Sequence, residues 1–237
     1  MIIDDLSIRP FHDRRVFVYP ILEDSKVHPL FAIINGFVLI DMDSGESYSL
    51  SVNHPEGIVH ATDLAVLEGS KQVTCFNRTL VGYNYDVSTF LDAEVQYYLY
   101  TNQYCNFETP DILRHLYRLY PDCIKVGNLI GLQKHEQIAG ELLDKIAVAE
   151  IQPGHQFYVE QLIPAFQAIE KSGMCVDLAK FEQRFGATNA LKGGTCYTQY
   201  NFFTATGRPS NRFGGINFAA LNKEDESREC FVSRYGS

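Results

Sequence analysis

The chain has 237 residues, of which 46% are hydrophobic and 21% are charged, and this composition excludes a disordered protein. The net charge of −9 excludes a protein that coats nucleic acid with its whole surface, because phosphate contacts require clustered Lys and Arg. Residues 1–179 carry 12 Lys/Arg and 24 Asp/Glu, whereas residues 180–237 carry 8 and 5. We therefore expect any contact with nucleic acid to lie in the C-terminal part.

The sequence contains no apolar run that could span a bilayer. The longest one, residues 31–40, is interrupted by Asn35 and Gly36, and the N-terminus MIIDDLS lacks the basic start of a signal peptide. The 6 cysteines form no Cys-x-x-Cys pair, which argues against zinc and disulfide frameworks. We therefore expect a cytoplasmic protein with reduced cysteines and no membrane partner.

Strand patterns precede helix patterns along the first half of the chain. β-Branched and aromatic or alternating runs predict strands at residues 16–22, 31–40, 46–52 and 73–76, the first three forming a β-meander. Apolar spacing and capping residues predict helices at residues 88–100, 109–120 and 135–149. The sequence Ile-Gln-Pro-Gly at residues 151–154 then predicts a hinge between two domains.

The second half begins with an amphipathic pattern at residues 157–173, followed by a short strand. Ordinary core packing explains each of these residues. Residues 181–199 predict a short helix and then a flexible connection, because Gly186, Gly193 and Gly194 interrupt the pattern.

The segment from Tyr200 to Leu221 combines glycines, two arginines and uncharged polar side chains. Its glycines permit a ligand to approach the main chain, and Arg208 and Arg212 supply guanidinium groups suited to phosphate. Its Thr, Ser and Asn side chains are of the kind that position a nucleic-acid backbone. The alternative interpretation is a solvated loop, since clusters of Gly, Pro, Ser and Asn are typical of loops.

The order of residues in this segment resembles the template-primer binding segment of family A DNA polymerases, the polymerase I class. A Thr-Gly-Arg turn at residues 206–208 is followed by Ser210 and, further on, by Arg228 and Phe231, as in the family. Asn217 stands where the family has a Gln in its Asn-Leu-Gln-Asn-Ile-Pro run, and Gly215 and Ala220 depart from the pattern. A second family segment is matched by Tyr158, Glu160, Pro164, Glu170, Gly173, Val176 and Asp177. The resemblance implies these DNA-binding residues: Thr206, Gly207, Arg208, Ser210, Asn211, Arg212, Asn217 and Arg228.

The resemblance also implies an α/β (α+β) fold with two domains. Residues 1–152 are expected to form an RNase H-like 3′–5′ exonuclease-type domain with a mixed sheet, and residues 153–237 the start of a polymerase palm. Only about thirty residues separate Asp177 from Thr206, too few for the family's helical thumb, so the thumb is expected to be absent or vestigial.

The expected nuclease domain lacks most of the carboxylates that two-metal hydrolysis requires. Val18 and Pro20 stand where the family has its first acidic pair, and Val81 stands four residues after a retained Asn77 where an Asp is expected. At the last motif the sequence has His135 and Glu136 instead of the family's Tyr and Asp. We therefore expect an inactive, degenerate exonuclease fold.

Three aspartates are the remaining metal-binding candidates: Asp41, Asp43 and Asp92. Asp41 and Asp43 would share one face of a strand, but Asp43-Ser44-Gly45 is typical of a turn between strands, so a hairpin is favoured over a metal site. A working nuclease that uses all three aspartates is the third functional hypothesis.

The family's first metal-binding aspartate lies on a strand that would begin just after Ser237, where this sequence ends. We therefore expect no complete catalytic site in this chain alone, and Mg²⁺ in a site completed by a second chain that supplies the fingers and the rest of the palm. The leading hypothesis is the N-terminal subunit of a split, phage-type family A DNA polymerase in a bacterial host, which binds template-primer DNA. The alternative is a non-enzymatic scaffold protein derived from a polymerase, whose acidic first domain binds another replication protein.

Overall fold

The protein has a mixed α+β fold of two compact units. The computed structural model describes residues 1–23, 27–102, 130–147, 150–186, 188, 190–204, 209–211, 216, 218, 221–222, 224 and 226–234. The first unit contains Met1–Ser25 and Ala32–Val159, and the second contains Lys26–Phe31 and Glu160–Ser237. No helix in these described ranges is both long and apolar enough to cross a membrane. The helix predicted at residues 109–120 lies outside the described residues.

The first unit is built on a mixed sheet of five strands in the order β3-β2-β1-β4-β5. The strands are β1 Arg15–Leu22, β2 Ile34–Asp41, β3 Ser47–Ser51, β4 Gln72–Cys75 and β5 Leu91–Asp92. Strands β1, β2 and β3 are antiparallel, whereas β4 and β5 run parallel to β1. The predicted meander and the short strand after it are therefore confirmed.

The core of the first unit lies between this sheet and a helix, α3, which spans Leu132–Ile146. Phe17, Tyr19 and Ile21 alternate along β1 and pack in the same apolar cluster as Ile138 and Leu142 of α3. All eight residues of β2 are buried, which is consistent with its apolar run Phe37–Ile40, although Asn35 and Asp41 are buried with them.

Two shorter helices of the first unit follow the parallel strands: α1 Arg78–Val81 and α2 Ala93–Thr101. The helix predicted from residue 88 begins only at Ala93, because Leu91 and Asp92 pair with Thr74 and Cys75 as strand β5. The Asp92 carboxylate then accepts hydrogen bonds from two backbone N–H groups at the start of α2, a typical N-cap.

The amphipathic pattern at residues 157–173 forms three consecutive helical segments. They are α4 His155–Phe157, a π-helix at Tyr158–Leu162, and α5 Ile163–Ser172. Gly173, with a φ of 56°, follows α5 as its C-cap, and β6 Met174–Cys175 comes next, as the sequence predicted.

The second unit contains a three-stranded sheet in the order β6-β8-β7 and the helix α6, Leu178–Phe185. The flexible connection predicted within residues 181–199 is wrong, because β7 Leu191–Lys192 and β8 Thr195–Cys196 form a hairpin there. Gly193 and Gly194 have φ angles of 55° and 77°, which suit a tight hairpin turn. A 3₁₀ turn follows at Ser227–Cys230, and its Cys230 packs in the core of this unit.

Candidate nucleic-acid interface

The predicted DNA-binding segment begins as a β-hairpin. Strands β9 Tyr200–Asn201 and β10 Ser210–Asn211 are antiparallel, and Ser210 pairs with Asn201. The ends of the intervening segment, residues 202–209, are therefore held side by side. In sequence, the Thr-Gly-Arg residues 206–208 fall between these two strands, and they lie outside the described residues.

The base of this hairpin packs on helix α5 of the same unit. The Phe166 ring lies 5.4 Å from the Tyr200 ring and 5.8 Å from the Phe202 ring, measured between centroids. The Glu170 carboxylate accepts a hydrogen bond from the backbone N–H of Tyr200 at 2.7 Å. The hairpin is thus anchored at its base by aromatic packing and by a side-chain hydrogen-bond acceptor.

Two of the predicted DNA-binding side chains can be placed. Ser210 is partly exposed on β10, and Arg228 is exposed, with one guanidinium nitrogen donating to the Leu221 carbonyl at 3.2 Å. Asn211 is described only as a strand residue. The others lie outside the described residues: Thr206, Gly207, Arg208, Arg212 and Asn217.

The residues that the resemblance places at nuclease carboxylate positions are core or helix-capping residues in this structure. Val18 and Val81 are fully buried, and Pro20 is buried in the same strand as Val18. In the sheet, Val18 pairs with Cys75, which in turn pairs with Asp92. Asp92 is thus the one acidic side chain in this three-strand row.

Asp92 lies in a buried polar cluster beside Arg78, and only 1% of its surface is exposed. Burial and the nearby Glu94 raise the pKa of Asp92 to about 7. The hydrogen bonds from the backbone of α2 and the charge of Arg78 lower this pKa, but by less. The backbone N–H of Asp92 donates to His155 Nε2 at 2.9 Å, and burial lowers the pKa of that imidazole. Burial thus disfavours the charged form of Asp92, whose carboxyl caps the start of α2.

Asp41 and Asp43 act as turn and ion-pair residues. The Asp41 carboxylate accepts hydrogen bonds from the backbone N–H groups of Asp43 and Ser44, which is typical of a turn aspartate. Asp43 pairs with the Arg15 guanidinium at 2.7 Å, and hydrogen bonds from Arg15 lower the pKa of its carboxyl.

Two other carboxylates, those of Asp41 and Glu136, are associated with strands distant from Asp92 in the sheet. Asp41 ends β2, so three strand spacings of the sheet, about 14 Å, separate it from Asp92 on β5. Glu136 accepts hydrogen bonds from Ser47 Oγ and Ser49 Oγ on β3, the opposite edge of the sheet from Asp92. Among the described residues, no three His, Cys, Asp or Glu side chains are grouped so that they could hold a metal ion.

A buried histidine in the second unit, His28, was not predicted from the sequence. His28 is fully buried; its Nδ1 accepts from the Leu30 N–H, and its Nε2 lies 3.1 Å from the Thr198 carbonyl oxygen, so Nε2 carries the proton. Burial lowers the pKa of His28. Residues 28 and 198 are too distant in sequence for local pattern to connect them.

The residues that anchor the hairpin were likewise missed as functional residues. Phe166 and Glu170 fit an amphipathic helix equally well, so helical spacing alone gave no reason to associate them with Tyr200. Comparison of the chain with models of known protein families finds no match, and comparison with curated proteins finds no similar sequence.

Proposed function

We propose that this chain binds template-primer DNA as part of a two-chain family A DNA polymerase, with its first unit serving as an RNase H-like scaffold without nuclease activity. The observation that carries the proposal is the hairpin of residues 200–211, which connects Tyr200 and Asn201 to Ser210 and Asn211 around a Thr-Gly-Arg sequence. A loop anchored at its base can present backbone N–H groups and guanidinium groups to phosphate with little loss of conformational entropy.

The charge distribution supports the same assignment. Residues 180–237 have a balance of +3, from 8 Lys/Arg and 5 Asp/Glu, although the whole chain has a net charge of −9. DNA would therefore be attracted to this part of the sequence and repelled by the acidic remainder.

The arrangement of carboxylates supports a scaffold role for the first unit. Its mixed five-stranded sheet is compatible with the proposed nuclease-like fold. However, Asp92 and Glu136 are associated with opposite edge strands, about 19 Å apart, and two-metal hydrolysis requires ligands within a few ångströms. In the proposed complex the second chain supplies the Mg²⁺-binding aspartates.

The DNA-binding proposal is tested by removing the two arginines of the segment. The double variant Arg208→Ala/Arg212→Ala should bind a fluorescently labelled primer-template duplex more weakly at every salt concentration. The slope of log K against log salt should fall by about 2, because two phosphate contacts are lost. The control Lys145→Ala/Lys180→Ala changes the net charge equally at two exposed positions and should leave the slope unchanged.

The two-chain proposal is tested by co-expressing the protein with the product of the adjacent downstream reading frame. The purified complex should extend a primer in the presence of Mg²⁺, and the Arg208→Ala/Arg212→Ala complex should do so less efficiently. Absence of duplex binding by the wild-type protein, both alone and with that product, would refute the proposal and favour a non-enzymatic binding role.

A further inference from the structure

Helix α5 carries a carboxylate in an unfavourable position. Glu170 lies in the last turn, where the helix dipole disfavours a negative charge, and only 2% of the residue is exposed. Burial of a carboxylate costs free energy unless it is paired or hydrogen-bonded. An apolar side chain would pack at this position at a lower cost in free energy, so we expect the Glu170 carboxylate to have a specific role.

The contact of Glu170 indicates that role. Its Oε1 atom accepts a hydrogen bond from the backbone N–H of Tyr200 at 2.7 Å, a short hydrogen bond. Tyr200 is the first residue of β9 and is paired with Asn211, the last residue of β10. The carboxylate therefore fixes the hairpin at the residue pair farthest from its loop.

The hairpin itself provides little independent stability. Each strand has two residues, and an isolated two-stranded hairpin is at best marginally stable in water. The base of the hairpin also contacts α5. The rings of Tyr200 and Phe202 pack on Phe166, and such ring contacts permit sliding. The hydrogen bond from the Tyr200 N–H to Glu170 is directional.

We infer that Glu170 is a positioning residue, which sets the orientation of the DNA-binding hairpin without touching DNA. This inference rests on the proposed function, since it assigns Glu170 a role in the same site. The role depends on the reach of the acceptor oxygen and not on the charge of the side chain. An amide at the same distance therefore fulfils it, whereas a carboxylate on a shorter side chain does not.

Two variants distinguish the reach of the Glu170 acceptor oxygen from the charge of its side chain. Glu170→Gln keeps an acceptor oxygen at the same distance and should bind the primer-template duplex within about threefold of wild type. Glu170→Asp keeps the charge but withdraws the oxygen by one methylene, and it should bind about tenfold more weakly. Glu182→Gln, which removes an exposed charge from α6, should match wild type. Affinities are compared well below the thermal midpoint of each variant, since a purely structural residue would change the midpoint and not the affinity.

The inference is overturned if Glu170→Asp binds as wild type, or if Glu170→Gln binds tenfold more weakly than wild type. If Glu170→Asp does not fold, the exchange rate of the Tyr200 amide in Glu170→Gln decides. A wild-type rate with wild-type affinity supports the inference, and a tenfold faster rate with unchanged affinity contradicts it. Absence of duplex binding by the wild-type protein would instead refute the proposed function.

Discussion

Replacing Asp92 by Asn is expected to stabilise the first unit at alkaline pH. The carboxylate is buried beside Glu94, which raises its pKa to about 7, whereas an unfolded Asp has a pKa of 3.8. Deprotonation above pH 7 therefore costs the folded state more than the unfolded state. Asn is as good an N-cap as Asp, so the variant keeps the bonds to Glu94 N and Val95 N and removes the buried charge.

The magnitude follows from the two pKa values of Asp92. Each tenfold difference in proton affinity corresponds to about 1.4 kcal/mol, so a rise from 3.8 to about 7 corresponds to an upper limit of about 4 kcal/mol. Because the pKa of Asp92 is raised in the folded state, the stability that the protonated carboxyl contributes is complete below pH 3.8 and is lost as the pH rises through 7. The gain from Asp92→Asn should thus be large at pH 8 and below about 1 kcal/mol at pH 4.

The assay is urea unfolding at pH 8 and at pH 4, followed by circular dichroism and tyrosine fluorescence, since the chain has 14 Tyr and no Trp. At pH 8 the thermal midpoint of the first unit should also rise, by roughly 2–4 °C per kcal/mol for a unit of this size. Asp177→Asn is the matched control, because Asp177 caps α6 through the Lys180 N–H but is partly exposed.

One outcome of the unfolding measurements would contradict the expected stabilisation by Asp92→Asn. If Asp92→Asn destabilises the first unit by the same amount at pH 8 and pH 4, the carboxylate is retained as a charged partner of Arg78. The reasoning from burial would then be wrong.

Further predictions concern backbone packing, helix capping and pH. Gly36→Ala should destabilise the first unit by about 3 kcal/mol in urea unfolding, because its Cβ would lie 2.7 Å from the Leu50 carbonyl oxygen; an unchanged midpoint would contradict this. Glu56→Ala should cost about 1 kcal/mol in the same assay, since Glu56 Oε2 accepts the Leu132 N–H at the start of α3, whereas Glu56→Gln should cost less. Burial lowers the pKa of His28, so the unfolded chain binds its proton more readily, and the second unit should lose stability as the pH falls below 6.5. Hydrogen exchange of amides in residues 190–204 should become faster from pH 7 to pH 5.5, after correction for intrinsic rates, and a constant protection factor would exclude this role of His28.

Much of the first sheet could be predicted because its strands carry their own signals. The run at residues 16–22 is buried on both faces, so its apolar character survives in any local window. The sequence pattern predicts that β2 begins at residue 31, but the strand begins at Ile34, because Pro29–Phe31, equally apolar, forms a 3₁₀ turn that belongs to the second unit. Apolar sequence indicates burial, but it does not identify the unit in which a residue is buried.

The hairpin of β7 and β8 shows a different kind of error. The Gly193-Gly194 pair indicates flexibility, although two glycines between short strands are also a signal for a two-residue turn. The strands have only two residues each, too few for a period to be visible in sequence. The pairing of β8 with Met174 and Cys175, some twenty residues earlier, is what distinguishes the two interpretations.

The candidate site could be predicted only as a motif. The Thr-Gly-Arg sequence indicated a phosphate-binding loop, but the support from Glu170 depends on a contact between residues 30 positions apart. Likewise, the sequence shows that Asp92 is present, whereas the burial that raises the pKa of its carboxyl depends on the tertiary structure.

The burial of His28 in the second unit has a consequence for biosynthesis. The hydrogen bond from His28 to the Thr198 carbonyl joins residues 170 positions apart, so at about 5–20 residues per second roughly 10–30 s separate their synthesis. During that interval the segment around Phe31 lacks its aromatic partner Tyr197 and presents apolar surface on the nascent chain. An expressed fragment beginning at residue 153 would lack this segment altogether, so the second unit would be produced without part of its own interior.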